Sequence, residues 1–173
     1  MESILISILK TAWKELLHDY STGDLIIRNE RDLQLGLMHK CSDCINRMGE
    51  KAFVSKEDFH YGKRIDVILW SLKEKILVQL KLYHDRAEWT ESPSMTNTVE
   101  SDCKFACGRP DVFVGIIDVI PSTPRKKLAY NLDWREITLS DKAYELYKST
   151  NPRTSPRERI QRVVLARGSE LKI

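Results

Sequence analysis

Arg64-Ile65-Asp66-Val67-Ile68-Leu69-Trp70-Ser71-Leu72 is followed, after Lys73-Glu74-Lys75, by Ile76-Leu77-Val78-Gln79-Leu80-Lys81-Leu82-Tyr83. Two apolar, β-branched runs joined by a short charged turn read as a β-hairpin. Its polar residues are the anomaly. A side-chain period of two puts Gln79 and Lys81 on one face and Val78, Leu80 and Leu82 on the other. The midpoint of the turn lies near residue 73, so Asp66 falls almost opposite Gln79. The hairpin thus gathers a carboxylate, an amide and an ammonium on a small surface.

The flanking sequence supplies the rest of a fold. Lys51 to Phe59 reads as a strand leading through the turn Tyr61-Gly62-Lys63 into the hairpin. Before it come two helices. Residues 2 to 20 carry Ile4, Leu5, Ile8, Leu9, Ala12, Trp13, Leu16, Leu17 and Tyr20 at three- and four-residue spacing. Asn29 is a credible N-cap for the second helix, with Glu30 and Asp32 in its first turn and an end near Gly49. After the hairpin, a short helix from about Met95 to Cys107 is stopped by Gly108-Arg109-Pro110. Val112 to Ile120 is then nearly continuously apolar, as in a strand covered on both faces. A helix between two strands implies a right-handed crossover and a parallel pairing. Leu128 to Leu139 has room for a further strand, and Asp141 to Lys148 for a short helix. Ser155-Pro156-Arg157-Glu158 has the form of a capping box, opening a terminal helix with Ile160, Val163 and Val164 on one side.

The chain has 173 residues, 42% of them hydrophobic and 31% charged, with 7 Gly and 6 Pro. This excludes disordered and collagen-like chains and predicts one domain over residues 1–173. No window approaches the roughly 20 apolar residues of a membrane span, so no membrane partner is expected. Lys10 and Lys14 interrupt the N-terminal apolar run, and no positive segment precedes it, so a cytoplasmic protein with reduced cysteines is expected. The 28 Lys+Arg against 25 Asp+Glu leave a net charge of +3, so any basic surface that matters is local. Two stretches qualify: Arg125, Lys126 and Lys127, and a C-terminal run with Arg157, Arg159 and Arg162. Both suit phosphate contacts.

Asp66 offers a charged oxygen and Gln79 a neutral one, the hard ligands that Mg²⁺ takes while keeping several waters. Lys81 beside them is placed to orient a water or to neutralise charge on a phosphate. Glu30, from the preceding helix, would complete the site, and Glu57 is a second choice for that third acid. In the plainer reading, Gln79 and Lys81 are the wet face of an antiparallel sheet.

These residues resemble the PD-(D/E)xK superfamily, the restriction-endonuclease-like nucleases. The resemblance rests on Glu30 in Asn29-Glu30-Arg31-Asp32-Leu33, Asp66 in Arg64-Ile65-Asp66-Val67-Ile68-Leu69, and Gln79-Leu80-Lys81, in family order. It covers roughly residues 25–120, departs from the family's usual acid at Gln79, and leaves residues 150–173 as a basic C-terminal extension. It implies an α/β fold with an αβββαβ core, a mixed central sheet flanked by helices, and extra N- and C-terminal helices. It implies a metal-dependent endonuclease acting on nucleic acid, DNA above all, with Mg²⁺ or Mn²⁺ held by Asp66, Gln79 and Glu30. Lys81 would orient the water, and a homodimer or a partner subunit would be natural. Lys104, on the helix after the third strand, would face the site. The alternative is a lapsed member that binds nucleic acid or a partner without cleavage. Finally, Cys41 and Cys44 with Cys103 and Cys107 make a possible zinc set, although buried reduced cysteines in helices serve equally as small hydrophobes.

Overall fold

The computed structural model describes residues 2–83, 93–119, 129–150 and 159–173. Helix α1 spans Ile4–Thr22 and α2 spans Glu30–Met48. The Asn29 side chain accepts from the Asp32 N–H, 2.8 Å away, as an N-cap. Gly49 ends α2 in the left-handed conformation, at φ 65°, which a residue with a Cβ resists. Three strands follow: β1 (Ala52–His60), β2 (Lys63–Ser71) and β3 (Lys75–Tyr83). Helix α3 (Pro93–Ala106) leads to β4 (Val112–Val119), then β5 (Arg135–Thr138), α4 (Asp141–Thr150) and β6 (Ile160–Arg167).

The strands form one mixed sheet in the order β1-β2-β3-β4-β6-β5. Among the described strands the one parallel pair is β3–β4, with α3 between them in sequence as the crossover rule requires. Helices α1 and α2, with Ala143 and Tyr147 of α4, pack on one face against Val67, Leu69, Val78, Leu80, Leu82, Phe113, Ile117 and Val163. Helix α3 covers the other face over Ile68, Leu77, Tyr83, Val112, Val114, Ile116 and Val164. The period-two alternation along β3, β4 and β6 splits these two cores. At ~25 cal/mol per Å² of apolar surface, a sheet buried on both faces supplies most of the folding drive. No helix among the described residues is long and apolar enough to cross a membrane.

The C-terminus departs from expectation. Ile160–Arg167 is a strand, not a helix, and runs inside the sheet between β4 and β5. The spacing of Ile160, Val163 and Val164 fits a helix stripe, but it fits equally a strand packed on both faces, and the ladder with β4 decides. Val163 goes to the α1–α2 core and Val164 to the α3 core. This segment is therefore continuous with the sheet of residues 25–120 rather than an appendage to it. The capping box at 155–158 lies outside the described residues.

Candidate functional site

The β2–β3 hairpin pairs Val67 with Val78 through to Trp70 with Lys75. That register projects Asp66 opposite Gln79, as the sequence indicates. The ladder, however, ends at Val67. Val67 and Leu69 face the α1–α2 core and Ile68 the α3 core, so parity would send Ile65 to the first; it packs in the second. The strand thus rolls at Asp66. On the other side, β1 pairs Lys56 with Val67 and Asp58 with Ile65, leaving Glu57 and Asp66 unpaired between them. Glu57 takes φ 26°, a strained value for a residue with a side chain.

Where β2 peels away, a carboxylate takes the place of one of its carbonyls. The Leu80 N–H donates to Asp66 Oδ2 at 2.7 Å, and the Leu82 N–H acts on the Glu30 carboxylate, favouring its charged form. Gln34 of α2 fixes the rolled backbone by donating to the Asp66 carbonyl at 2.6 Å. Lys81 Nζ lies 3.8 Å from Glu30 Oε1. Glu30, Asp66, Gln34, Glu57, Leu80, Arg31, Leu35 and Lys56 line a cleft of about 290 Å³.

The electrostatics follow from this crowding. Burial raises the Asp66 carboxyl above its ordinary range; the Leu80 N–H and Lys81 oppose this, while Asp102 and Glu57 add to it. The Glu30 side chain stays 48% exposed, yet desolvation of its carboxyl raises it too; Lys81 opposes, and Asp66 and Asp102 add. Glu57 goes the other way, held low by its hydrogen bond from Arg64. Glu57 is therefore tied to Arg64, which weakens its case as the third acid.

Gln79 is buried on the α3 side of β3, and its amide nitrogen donates to the Arg64 carbonyl at 3.0 Å. Only its amide oxygen remains to serve a ligand. Gln79 and Lys81 do share a face, but that face is covered by α3 and is not a wet one. The donor set of Asp66, Glu30 and one amide oxygen fits a hard dication that retains waters. Among the described residues no group of three or more His, Cys, Asp or Glu is arranged to hold a metal.

The remaining expected residues fall elsewhere. Lys104 is exposed on α3, and it is Asp102 of that helix, not Lys104, that meets Lys81. Asp102 was missed, although it lies on the apolar stripe Val99-Cys103-Ala106, where a charge stands out. Arg159 pairs with Asp141. Arg162 pairs at 2.9 Å with the fully buried Asp118, its guanidinium 4.0 Å from the Trp134 ring centre. Both guanidinia thus have internal partners. Arg125, Lys126, Lys127 and Arg157 lie outside the described residues. The four-cysteine zinc set is corrected: Cys41 and Cys44 pack in the α1–α2 core, whereas Cys103 packs in the α3 core with Cys107 against it. The sheet stands between the pairs, and burial pushes the Cys41 and Cys103 thiols up to about 12, away from the thiolate form that zinc binds.

Compared with models of protein families, with curated proteins and with solved structures, the chain finds no match.

Proposed function

We propose that this chain is a metal-dependent nuclease of the restriction-endonuclease-like kind, hydrolysing phosphodiester bonds in DNA. The observation that carries the reading is the convergence of Glu30, Asp66 and Lys81 where β2 leaves β3. Asp66 and Glu30 would hold Mg²⁺ or Mn²⁺, with the Gln79 amide oxygen as a neutral ligand or water-positioner. The ion would supply Lewis-acid polarisation of the phosphate and a more acidic water. The chain's own groups do the remainder. Where it holds the water and not the ion, the Glu30 carboxylate would accept a proton from the attacking water. The water oxygen bonds to phosphorus as its proton passes to Glu30, one P–O ester bond breaks, and the leaving oxygen takes up a proton from solvent water. The Lys81 ammonium orients the water and offsets charge on the phosphoryl oxygens.

The test is cleavage of supercoiled plasmid, linear duplex, single strands and a branched junction, each with EDTA, Mg²⁺ or Mn²⁺. Metal-dependent cutting by the wild type, lost in Asp66→Ala and Lys81→Ala with the fold intact, is expected. A rate unchanged in Asp66→Ala defeats the assignment.

A second reading, a lapsed site that binds nucleic acid without cutting, is favoured by one observation. Gln79 stands where an acid is usual and spends its amide nitrogen on the Arg64 carbonyl. No heat of Mg²⁺ or Mn²⁺ binding at millimolar metal, with salt-sensitive DNA binding retained, selects this reading.

A further inference from the structure

Asp102 has no part in the roles assigned above. It sits on the buried stripe of α3, its side chain 6% exposed, where a carboxylate is costly unless paired. Its Oδ1 lies 2.6 Å from Lys63 Nζ, at the tip of the β1–β2 hairpin. Its Oδ2 has no hydrogen-bond partner among the described residues and lies 3.6 Å from Lys81 Nζ. Glu30 stands on the other side of that ammonium at 3.8 Å. The two acids come from α2 and α3, which cover opposite faces of the sheet. Lys81 therefore hangs between carboxylates from two layers, beyond hydrogen-bond distance of either.

We propose that Asp102 is the positioning residue of Lys81, an inference that rests on the nuclease reading above. Without Asp102, the anions acting on Lys81 among the described residues are Glu30 and Asp66, the groups meant for metal and water. The ammonium would then close on them and occupy their oxygens. Asp102 draws it off toward α3. Lys63, by holding Oδ1, keeps Asp102 from closing fully on Lys81. The N–H donors of Lys81 are left for a phosphate oxygen. Lys63 also lies over the Phe105 ring, 5.2 Å from its centre, and the Tyr61 ring packs 6.4 Å from the same ring, so the hairpin tip is packed against α3.

The experiment compares wild type, Asp102→Asn, Asp102→Glu and the exposed same-helix control Ser101→Ala in steady-state cleavage with Mg²⁺. In parallel, ¹³C relaxation of the Lys81 ε-methylene is measured in the ligand-free proteins, the signal being assigned by its loss in Lys81→Ala. Asp102→Asn is expected to lower kcat roughly 100-fold, the cost of about 1 Å of misplacement, with KM unchanged. Asp102→Glu restores part of the rate, and the ε-methylene gains motion only when the carboxylate is gone. Three results overturn the proposal. One is a folded Asp102→Asn protein with wild-type kcat. Another is a rate loss that tracks melting temperature and that Glu does not reduce. The third is Lys81 equally ordered with and without Asp102. If the wild type cuts nothing, the nuclease reading fails, and the relaxation data still decide the positioning claim.

Discussion

Replacing Gly168 with alanine adds one methyl group where α3 and the end of β6 leave no room for it. A Cβ at this position would lie 1.9 Å from the Ala106 carbonyl oxygen, 2.5 Å from that of Arg109 and 2.7 Å from the Ala106 carbonyl carbon. Ordinary contact begins at 3.4 Å. All three atoms are backbone, so no rotamer change relieves the overlap. The approach is also fastened, because the Gly168 carbonyl accepts from the Gly108 N–H at 2.9 Å. Gly168 is not among the positive-φ glycines, so the effect is close packing and not backbone conformation. Overpacking costs about 1–3 kcal/mol, and rigid neighbours put this case at the upper end, ~3 kcal/mol. For a domain of this size, that lowers Tm by roughly 6–12 °C. Thermal and urea unfolding followed by circular dichroism would read it. A C-terminal helix would respond with the opposite sign, since Ala for Gly favours a helix by about 1 kcal/mol. An unchanged or raised Tm would therefore refute the packing of β6 against α3, and with it the frame that holds Asp102.

Two further outcomes are expected. Glu30 and Asp66 titrate above their ordinary range, so between the unfolded and folded values the native state binds more protons, and their contribution to stability falls as pH rises through that window. Asp66→Asn and Glu30→Gln should therefore gain stability relative to wild type as pH rises, in metal-free urea titrations; a difference independent of pH contradicts this. Cys41 and Cys103, buried and with thiols raised to about 12, should resist iodoacetamide in the native protein and react only on unfolding. Mass mapping that finds them alkylated without denaturant contradicts their burial.

The hairpin was legible because two signals agreed, an apolar alternation and a turn of matching length. The second helix was legible because Asn29 and Gly49 mark its ends by chemistry local to the chain. The pairing of β3 with β4 followed from the crossover rule. The C-terminal strand was not legible. Val163 and Val164 are adjacent apolar residues, a pattern that a helix stripe and a doubly covered strand share, and only the partner strand separates them. Glu30, Asp66 and Lys81 were found because polar residues inside apolar strands call for a reason. Asp102 carried the same signal on a helix stripe, and its partners lie 39 and 21 residues away in sequence. The roll at Asp66 depends on Gln34 and Glu30, both from another element, so no local pattern announces it.

That roll makes the site possible, and it also limits what the site can bind. In an unbroken ladder the N–H groups of Leu80 and Leu82 would meet carbonyls of β2. Here the Leu80 N–H meets the carboxylate of Asp66, which is fixed by the backbone without using a second side chain, and the Leu82 N–H favours the charged form of Glu30. Two carboxylates, Glu30 and Asp102, then stand beside Lys81, and Asp66 is near enough to feel its charge. Burial, the largest cause of the raised carboxyls of Glu30 and Asp66, makes this negative charge costly, and Asp102 adds to both. A phosphate entering alone would meet an excess of negative charge. A divalent cation would relieve the excess and turn the same fork attractive to phosphate. Around it stand Arg31, Lys56 and Arg64, all exposed. Cations at the rim and anions at the fork are the arrangement expected if a polyanion is steered by the first and a metal is held by the second. On this argument, salt weakens DNA binding through the rim, whereas EDTA acts at the fork. Neutralising Arg31 and Lys56 should therefore flatten the salt dependence and leave the metal requirement in place.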